Sequence, residues 1–268
     1  MDIKKLDWDE LWKEAKLKEK RRKGPEFWDR RAQSFSKHAS EGAYTETFLS
    51  ILNPEPSWTV LDVGSGAGTL AVPLAGKVRA ITAIDFSAAM LELLQEKCKN
   101  HGIENIRTFK AAWEDSWEAL GIEPHDVAIA SRSANVYDLK GAILKLDRFA
   151  KKRAYISAPV GDGPFNRRLH EAMGMKLPSR PDYIYVYNLL YQLGIFADVQ
   201  LITLRGKRSY DSHEDAFNAT KWIFDRMDGQ DGQRLRQYLK DHLVPEGGRF
   251  YMSYERVIRW AVISWKKE

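Results

Sequence analysis

The order of apolar and polar positions divides the chain into three stretches. At the amino end, Trp8, Leu11, Trp12 and Ala15 recur at helical spacing, which predicts an amphipathic helix docked on another part of the protein. After a break at Gly24-Pro25, a short second helix is expected with Trp28, Ala32 and Phe35 on one face. A third runs from about Tyr44 to Leu52 and stops before Pro54 and Pro56. From residue 58 the period switches. Thr59 to Val63 reads as an apolar strand, followed by a glycine-rich turn and a helix from about Thr69, with Pro73 tolerated only near its start. Ala80 to Ile84 reads as a second strand ending at Asp85. Ser87 is placed to cap the next helix, Leu91, Leu94 and Cys98 form its core face, and Gly102 ends it. Ile106 to Ala111, Val127 to Ser131 and Ala154 to Ala158 are the expected third, fourth and fifth strands, with a helix carrying Leu139, Ile143 and Leu146 between the last two. Strands alternating with helices in this way imply an α/β fold with a parallel sheet and crossover helices. After Val160 the rhythm loosens. Helices are expected near Phe165 to Met173, Tyr183 to Leu193, Glu214 to Met227 and Gly232 to Leu243, and strands at Val199 to Leu204 and Val257 to Trp265.

Composition narrows the class. With 268 residues, 44% apolar, and nine Trp, the chain can bury a substantial core as one large domain or a domain with an appended cap. No run approaches the ~18 apolar residues of a membrane span. A single Cys excludes a disulfide framework and a Cys-rich zinc site, and no His/Asp/Glu spacing reads as a metal site. The start, Met1-Asp2-Ile3-Lys4-Lys5, lacks an apolar signal segment, so the expected location is cytoplasmic. The net charge is +5, of which +3 falls in the first 23 residues, leaving +2 for the other 245. The surplus is a local appendage around Lys16 to Lys23, and a near-neutral body argues against nucleic acid as partner. Oligomeric state is not legible at this level.

The informative segment is Val60-Leu61-Asp62-Val63-Gly64-Ser65-Gly66-Ala67-Gly68-Thr69. A glycine turn between a strand and a helix lets a ligand approach the backbone and presents amides at the helix's positive end. Asp85, 21 residues after Gly64, falls at the tip of the second strand, where a carboxylate can accept hydrogen bonds from ribose hydroxyls. A dinucleotide fingerprint wants glycine at the first, third and sixth positions of the loop. Here the glycines fall at the first, third and fifth, and that reading leaves Asp62 unexplained.

The segment instead resembles the class I S-adenosylmethionine-dependent methyltransferases, which carry an acid-x-Gly-x-Gly-x-Gly signature at this place. The resemblance covers about residues 26–160 and is closest to enzymes acting on small molecules and quinone-like rings. It implies a Rossmann-like seven-stranded sheet, mostly parallel with the last strand antiparallel, and helices on both faces. It implies residues 1–57 as lid helices and 58–268 as the cofactor-binding domain, with helical insertions within 161–243. S-adenosyl-L-methionine would be the cofactor and S-adenosyl-L-homocysteine the product. Gly64, Ser65, Gly66 and Gly68 would pass beneath the cofactor, the Asp62 region would face its methionine end, and Asp85 would hold the ribose. Asp85-Phe86-Ser87-Ala88-Ala89-Met90 looks like the family's acid-x-Ser-x-x-Met segment, setting Phe86 and Met90 around adenine and ribose. Trp113 offers a stacking face and Glu114 or Asp115 an acceptor at the adenine edge. Ser131 follows strand four, where substrate and methionine portion meet. Phe27 to Phe35 looks like the family's lid, bringing Trp28 and Phe35 to the cofactor.

The reaction so implied is in-line displacement of a sulfonium methyl, in which alignment supplies most of the rate and a conspicuous catalytic residue need not exist. Candidate bases are His38 after the lid helix, Tyr137 after strand four, and His170 near the fifth strand's exit. Tyr183, Tyr187 and Tyr191 share a helical face and read either as an aromatic substrate wall or as a core stripe. Methyl transfer to a small-molecule acceptor is the leading expectation. The alternatives are an RNA methyltransferase, motivated by Lys16 to Lys23 but without an Asn/Asp-Pro-Pro-aromatic or Pro-Cys segment after strand four, and a cofactor-binding protein without catalysis.

Overall fold

Strands buried on both faces of a parallel sheet need side chains that avoid water on both sides, and the central strands here are near-continuous apolar runs for that reason. The computed structural model describes residues 6–19, 24–32, 42–177, 180–221, 223–224 and 227–267. Its main sheet is formed by β1 (Thr59–Val63), β2 (Ala80–Asp85), β3 (Ile106–Lys110), β4 (His125–Ser131), β5 (Ala150–Pro159), β6 (Asp198–Gly206) and β10 (Arg256–Lys266), in the order β3-β2-β1-β4-β5-β10-β6. The pairs β1–β2, β1–β4, β2–β3 and β4–β5 are parallel, and β10 runs antiparallel to β5, from Trp260↔Pro159 to Lys266↔Arg153. This is the Rossmann-like seven-stranded arrangement expected from the sequence. The chain winds outward from β1 through β2 to β3, then returns to β4 on the other side of β1. The carboxyl ends of β1 and β4 therefore flank the switch point at which α/β sheets bind ligands.

By its internal contacts the chain forms two units, Met1–Val160 with Arg180–Ile202 and Trp260–Glu268, and Gly161–Ser179 with Thr203–Arg259. The first holds α1 (Trp8–Leu17), α2 (Pro25–Asp29), α3 (Ala43–Leu52), α4 (Ala71–Ala75), α5 (Ala88–His101), α6 (Leu139–Arg148) and α8 (Tyr183–Gln192). Leu61, Ile84, Ala128, Ile143, Ile156 and Ile263 lie at the centre of its core. The helix expected from Thr69 begins at Ala71, with Pro73 in its first turn, where a missing N–H costs nothing. Helix α1 docks as its pattern predicts. Asp7 caps it by accepting from the Asp9 and Glu10 amides, and Trp12 is buried. Trp8 and Trp12 meet Tyr185 of α8 edge-on at 5.6 and 6.3 Å, and the Trp8 amide donates to Gln192 Oε1 at 3.0 Å.

The second unit contains α7 (Arg167–Ala172), α9 (His213–Lys221), α10 (Gly229–His242) and a small sheet of β7 (Ser209–Tyr210), β8 (Leu243–Glu246) and β9 (Arg249–Met252), ordered β7-β9-β8. Leu169, Tyr210, Ala216, Leu235, Leu239 and Met252 form its core. The sequence pattern predicts neither this sheet nor the break at Leu243, where β8 starts directly from α10. The connection of β8 to β9 is Gly247-Gly248, both at positive φ (55° and 80°), the backbone that a two-residue hairpin turn matching strand twist requires. Helix α9 also ends at Lys221, short of the expected Met227. Among the described residues no helix is long and apolar enough to cross a membrane.

Candidate functional site

The glycine loop folds back over the end of β2. The Gly64 and Ser65 amides both donate to the Ile84 carbonyl, at 2.8 and 3.0 Å. This brings the Gly66 amide to Asp85, donating to Oδ2 at 2.8 Å, while the Ser87 amide donates to Oδ1 at 2.9 Å. Gly64 sits at φ 69°, and a Cβ there would lie 2.4 Å from Ser133 Cβ, so the position admits no side chain. Beyond Gly66, by contrast, the nearest atom to such a Cβ is the Met90 sulfur at 3.9 Å, leaving a cradle above the loop. Asp85 is buried, and desolvation pushes its carboxyl up against the pull of the Ser87 and Gly66 amides. Each carboxylate oxygen has spent one lone pair on an amide and retains another.

Ser87 performs its expected capping role, accepting from the Met90 amide at 3.2 Å. It also donates its hydroxyl to Asp29 Oδ1 at 2.6 Å, and the Ala89 amide points to the same oxygen at 3.3 Å. The Ser87 hydroxyl holds the Asp29 carboxyl below its ordinary range. Helix α2 is thus tied to the amino end of α5, and Trp28 packs with Ala32, Ala67 and Met90 into one apolar cluster beside the loop. Phe86 is half-buried in the same turn.

Asp62 is fully enclosed beneath the loop, and its Oδ2 has no hydrogen-bond partner among the described residues; the buried Ser65 hydroxyl is likewise unpaired. Burial, reinforced by the charge of Asp85 and opposed by Arg132, pushes the Asp62 carboxyl up to about 7. A carboxyl whose folded pKa is raised stabilises the fold fully only below its unfolded value, and that contribution is lost as pH rises through the folded value. Asp62→Asn is therefore expected to match the wild type near pH 4 and to become more stable as pH rises. The gap should widen to roughly 4 kcal/mol by pH 8 in the ligand-free protein. Urea unfolding across that range measures it, and a gap that stays flat with pH would count against an unpaired, buried acid.

At the end of β4, Ser131 Oγ is 2.7 Å from the buried Tyr44 hydroxyl, which also meets Ser157 Oγ at 2.7 Å. Arg132 follows in the left-handed region (φ 58°), its amide donating to Ser157 Oγ at 2.9 Å and its guanidinium 4.2 Å above the Tyr44 ring. The loop beyond is held on two sides. Trp113 Nε1 donates to the Ser133 carbonyl at 3.1 Å, and Trp12 Nε1 to the Val136 carbonyl at 2.9 Å, with Lys16 Nζ donating to Asn135 Oδ1 at 2.8 Å. Glu114 is exposed, as is Tyr137.

The fold thus brings together Trp28, Asp62, Gly64, Ser65, Gly66, Gly68, Asp85, Phe86, Met90, Trp113 and Ser131 along the carboxyl edge of β1, β2 and β4. Phe35 and His38 lie outside the described residues. His170 belongs to the second unit, buried, with Nδ1 against the Asn166 carbonyl at 2.9 Å and its ring 5.3 Å from Phe224. Of the tyrosine stripe, Tyr187 and Tyr191 are exposed, and it is the intervening Tyr185 that is engaged, by the tryptophans of α1. Sequence reasoning placed Asp29 in the lid segment and Arg132 in the segment after strand four without giving either a role of its own, and it gave Tyr44 no part in the site. No local signal marks them, because each acts across the chain on a residue far from it in sequence. Among the described residues no group of His, Cys, Asp and Glu has metal-binding geometry.

Residues 60–152 match the family model for a methyltransferase domain. A protein of Haemophilus influenzae described only as uncharacterized is 32% identical over 217 residues, covering 80% of each chain. Among solved structures, the S-adenosylmethionine-dependent methyltransferase of Thiobacillus denitrificans, in complex with S-adenosylhomocysteine, superposes with a TM-score of 0.51 at 16% identity, covering 86% of this chain and 94% of its own. A phosphoethanolamine N-methyltransferase of Haemonchus contortus, in complex with phosphomonomethylethanolamine and S-adenosylhomocysteine, gives 0.55 at 14% identity, covering 90% of this chain and 58% of its own. At such identities these two structures bear on the fold alone.

Proposed function

The chain belongs to the class I S-adenosylmethionine-dependent methyltransferases, and from that premise we propose that it methylates a small-molecule acceptor rather than a polymer. One observation carries the choice of acceptor. The amino-terminal helices are tied to both loops that border the strand ends, α2 through Asp29 to Ser87 and Ala89, and α1 through Trp12 and Lys16 to Val136 and Asn135. Helices anchored over these loops act as a lid that narrows access and excludes water, which suits a compact acceptor and hinders a folded RNA.

When bound, S-adenosylmethionine supplies an electrophilic methyl on a sulfonium sulfur. The residues divide the work of holding it. The cradle over Gly66, with Gly64, Ser65 and Gly68, lets the cofactor lie close against the backbone of the loop. The remaining lone pairs of Asp85 accept from the ribose hydroxyls, and Phe86, Met90 and Trp28 wall the nucleoside. Trp113 and Glu114 border the adenine, and Asp62 with its unpaired oxygen takes the ammonium of the methionine end once ionised. Ser131 borders the acceptor side. In-line displacement asks first for alignment and a dry site, so the fixed loop after β4 is the chief contribution, and no general base is assigned.

The test is turnover. The purified protein is incubated with S-adenosylmethionine and a cell extract divided by ultrafiltration into small molecules and macromolecules. S-adenosylhomocysteine is expected to form with the filtrate. Formation only with the retained fraction, abolished by ribonuclease, would replace the small acceptor with RNA.

A further inference from the structure

Arg132 is exposed, yet its guanidinium has a fixed place. It lies 4.2 Å from the centre of the Tyr44 ring and 5.9 Å from that of Trp260, and the two rings meet edge-on at 6.1 Å. The backbone beneath is held as well, in the left-handed region at φ 58°, with the Arg132 amide donating to Ser157 Oγ at 2.9 Å. Among the described residues other than glycine, only Asn53 shares such a φ, and Asn53 closes α3 as asparagine commonly does. No helix end accounts for Arg132. A strained backbone persists where its surroundings enforce it. Here the enforcing group is the buried cluster of Tyr44, Ser131 and Ser157 hydroxyls that receives the amide.

A guanidinium placed over a ring face keeps its N–H edge for a ligand. Among the described residues no carboxylate pairs with Arg132 and no acceptor takes its side-chain N–H groups, whereas Arg148, also exposed, is paired to Glu118. Strand order decides which half of the site this edge serves. The glycine loop and Asp85 stand at the ends of β1 and β2, on one side of β4, and β5 and β10 follow on the other. Arg132 leaves the end of β4, and the rings that hold its guanidinium belong to the second side. Tyr44 is bonded to Ser157 of β5, and Trp260 faces Pro159 across the β5–β10 ladder. The cation is thus turned away from the nucleoside half and toward the half left for the acceptor.

We propose that Arg132 binds an oxyanion of the methyl acceptor, so that the acceptor is a small molecule carrying a carboxylate or phosphate group. This rests on the small-molecule reading above. The cofactor's methionine end also carries a carboxylate, and the experiment separates the two sources. A small-molecule filtrate of cell extract is passed over an anion exchanger at pH 8, and each fraction is assayed for S-adenosylhomocysteine formation. Turnover is expected with the exchanger-bound fraction. In a dilution series of that fraction, Arg132→Gln should lower kcat/KM at least about tenfold, the loss of a charge-assisted fork. Arg132→Lys, which keeps the charge but not the fork, should fall between Gln and the wild type. Arg132→Gly suits the backbone at φ 58°, so it should melt no lower than the wild type and lose turnover as Arg132→Gln does. All three should bind S-adenosylhomocysteine within about threefold of the wild type by calorimetry. An affinity for S-adenosylhomocysteine that falls as far as kcat/KM would give Arg132 to the methionine carboxylate and overturn its role toward the acceptor. Turnover confined to the unbound fraction, or full kcat/KM in Arg132→Gln, would overturn the anionic acceptor and leave small-molecule methylation standing. No turnover with any filtrate fraction would overturn that reading, and the anionic acceptor with it.

Discussion

Asp85→Ala is expected to weaken binding of S-adenosylhomocysteine by about 100-fold or more, read by calorimetry on protein whose fold is checked by circular dichroism. The magnitude follows from the geometry. Asp85 is buried, and each of its oxygens already takes one amide, Gly66 at 2.8 Å and Ser87 at 2.9 Å, leaving one lone pair on each for a diol. Hydrogen bonds to a charged group contribute roughly 1.5–3 kcal/mol apiece, so two ribose contacts account for the loss. Removing the carboxylate also frees the Gly66 amide and loosens the loop. Asp85→Asn separates charge from shape. An amide side chain fills the same volume but presents one oxygen and one NH2, so it cannot accept from both backbone amides at once. It should bind nearly as poorly as the alanine variant. A loss under about threefold in either variant would remove Asp85 from the cofactor's binding partners.

How much of this was legible beforehand depends on how local each signal is. The glycine loop and Asp85 lie 19 residues apart, at the ends of consecutive strands, and the Ser87 cap follows directly, so their residue types determine their own backbone. Ser87 accepts from Met90, and Gly102 closes α5 in the left-handed region at φ 63°. The alternation of strand and helix signalled the parallel sheet, and the antiparallel last strand was implied by the family resemblance. The small sheet of the second unit escaped because β7, β8 and β9 have two to four residues each, too few for a period-two pattern to register. Gly247-Gly248 was the one local sign of it. The ties that complete the site are long-range. Asp29 meets Ser87 across 58 residues, Trp12 meets Val136 across 124, and Tyr44 meets Ser157 across 113. Such partners are chosen by the tertiary fold, and the residues on their own carry no mark of them. Trp12 could be read as a docking residue from its helical face, but not as a donor to the loop after β4.

Gly64→Ala is expected to destabilise the protein by about 2–5 kcal/mol, a large part of the roughly 5–15 kcal/mol that holds a typical domain together. Two costs add. The backbone at φ 69° is left-handed, which for a residue with a Cβ costs roughly 1–2 kcal/mol. The new methyl would lie 2.4 Å from Ser133 Cβ, and overpacking of that kind costs about 1–3 kcal/mol. Ser133 cannot retreat freely, since its hydroxyl donates to the Val63 carbonyl and its own carbonyl holds Trp113 Nε1. Displacing it would move Trp113 and the loop after β4 together, so cofactor affinity should fall along with stability. Urea unfolding of a double-mutant cycle with Ser133→Gly apportions the two costs. Ser133→Gly opens the space the methyl needs, so the double variant should be more stable than the sum of the single changes predicts, by about the overpacking part. The left-handed part should remain, because removing Ser133 Cβ does nothing to the φ of residue 64. A cycle that closes without coupling would show that Gly64 is required for its backbone alone, and that the contact with the loop after β4 is not what excludes a side chain there.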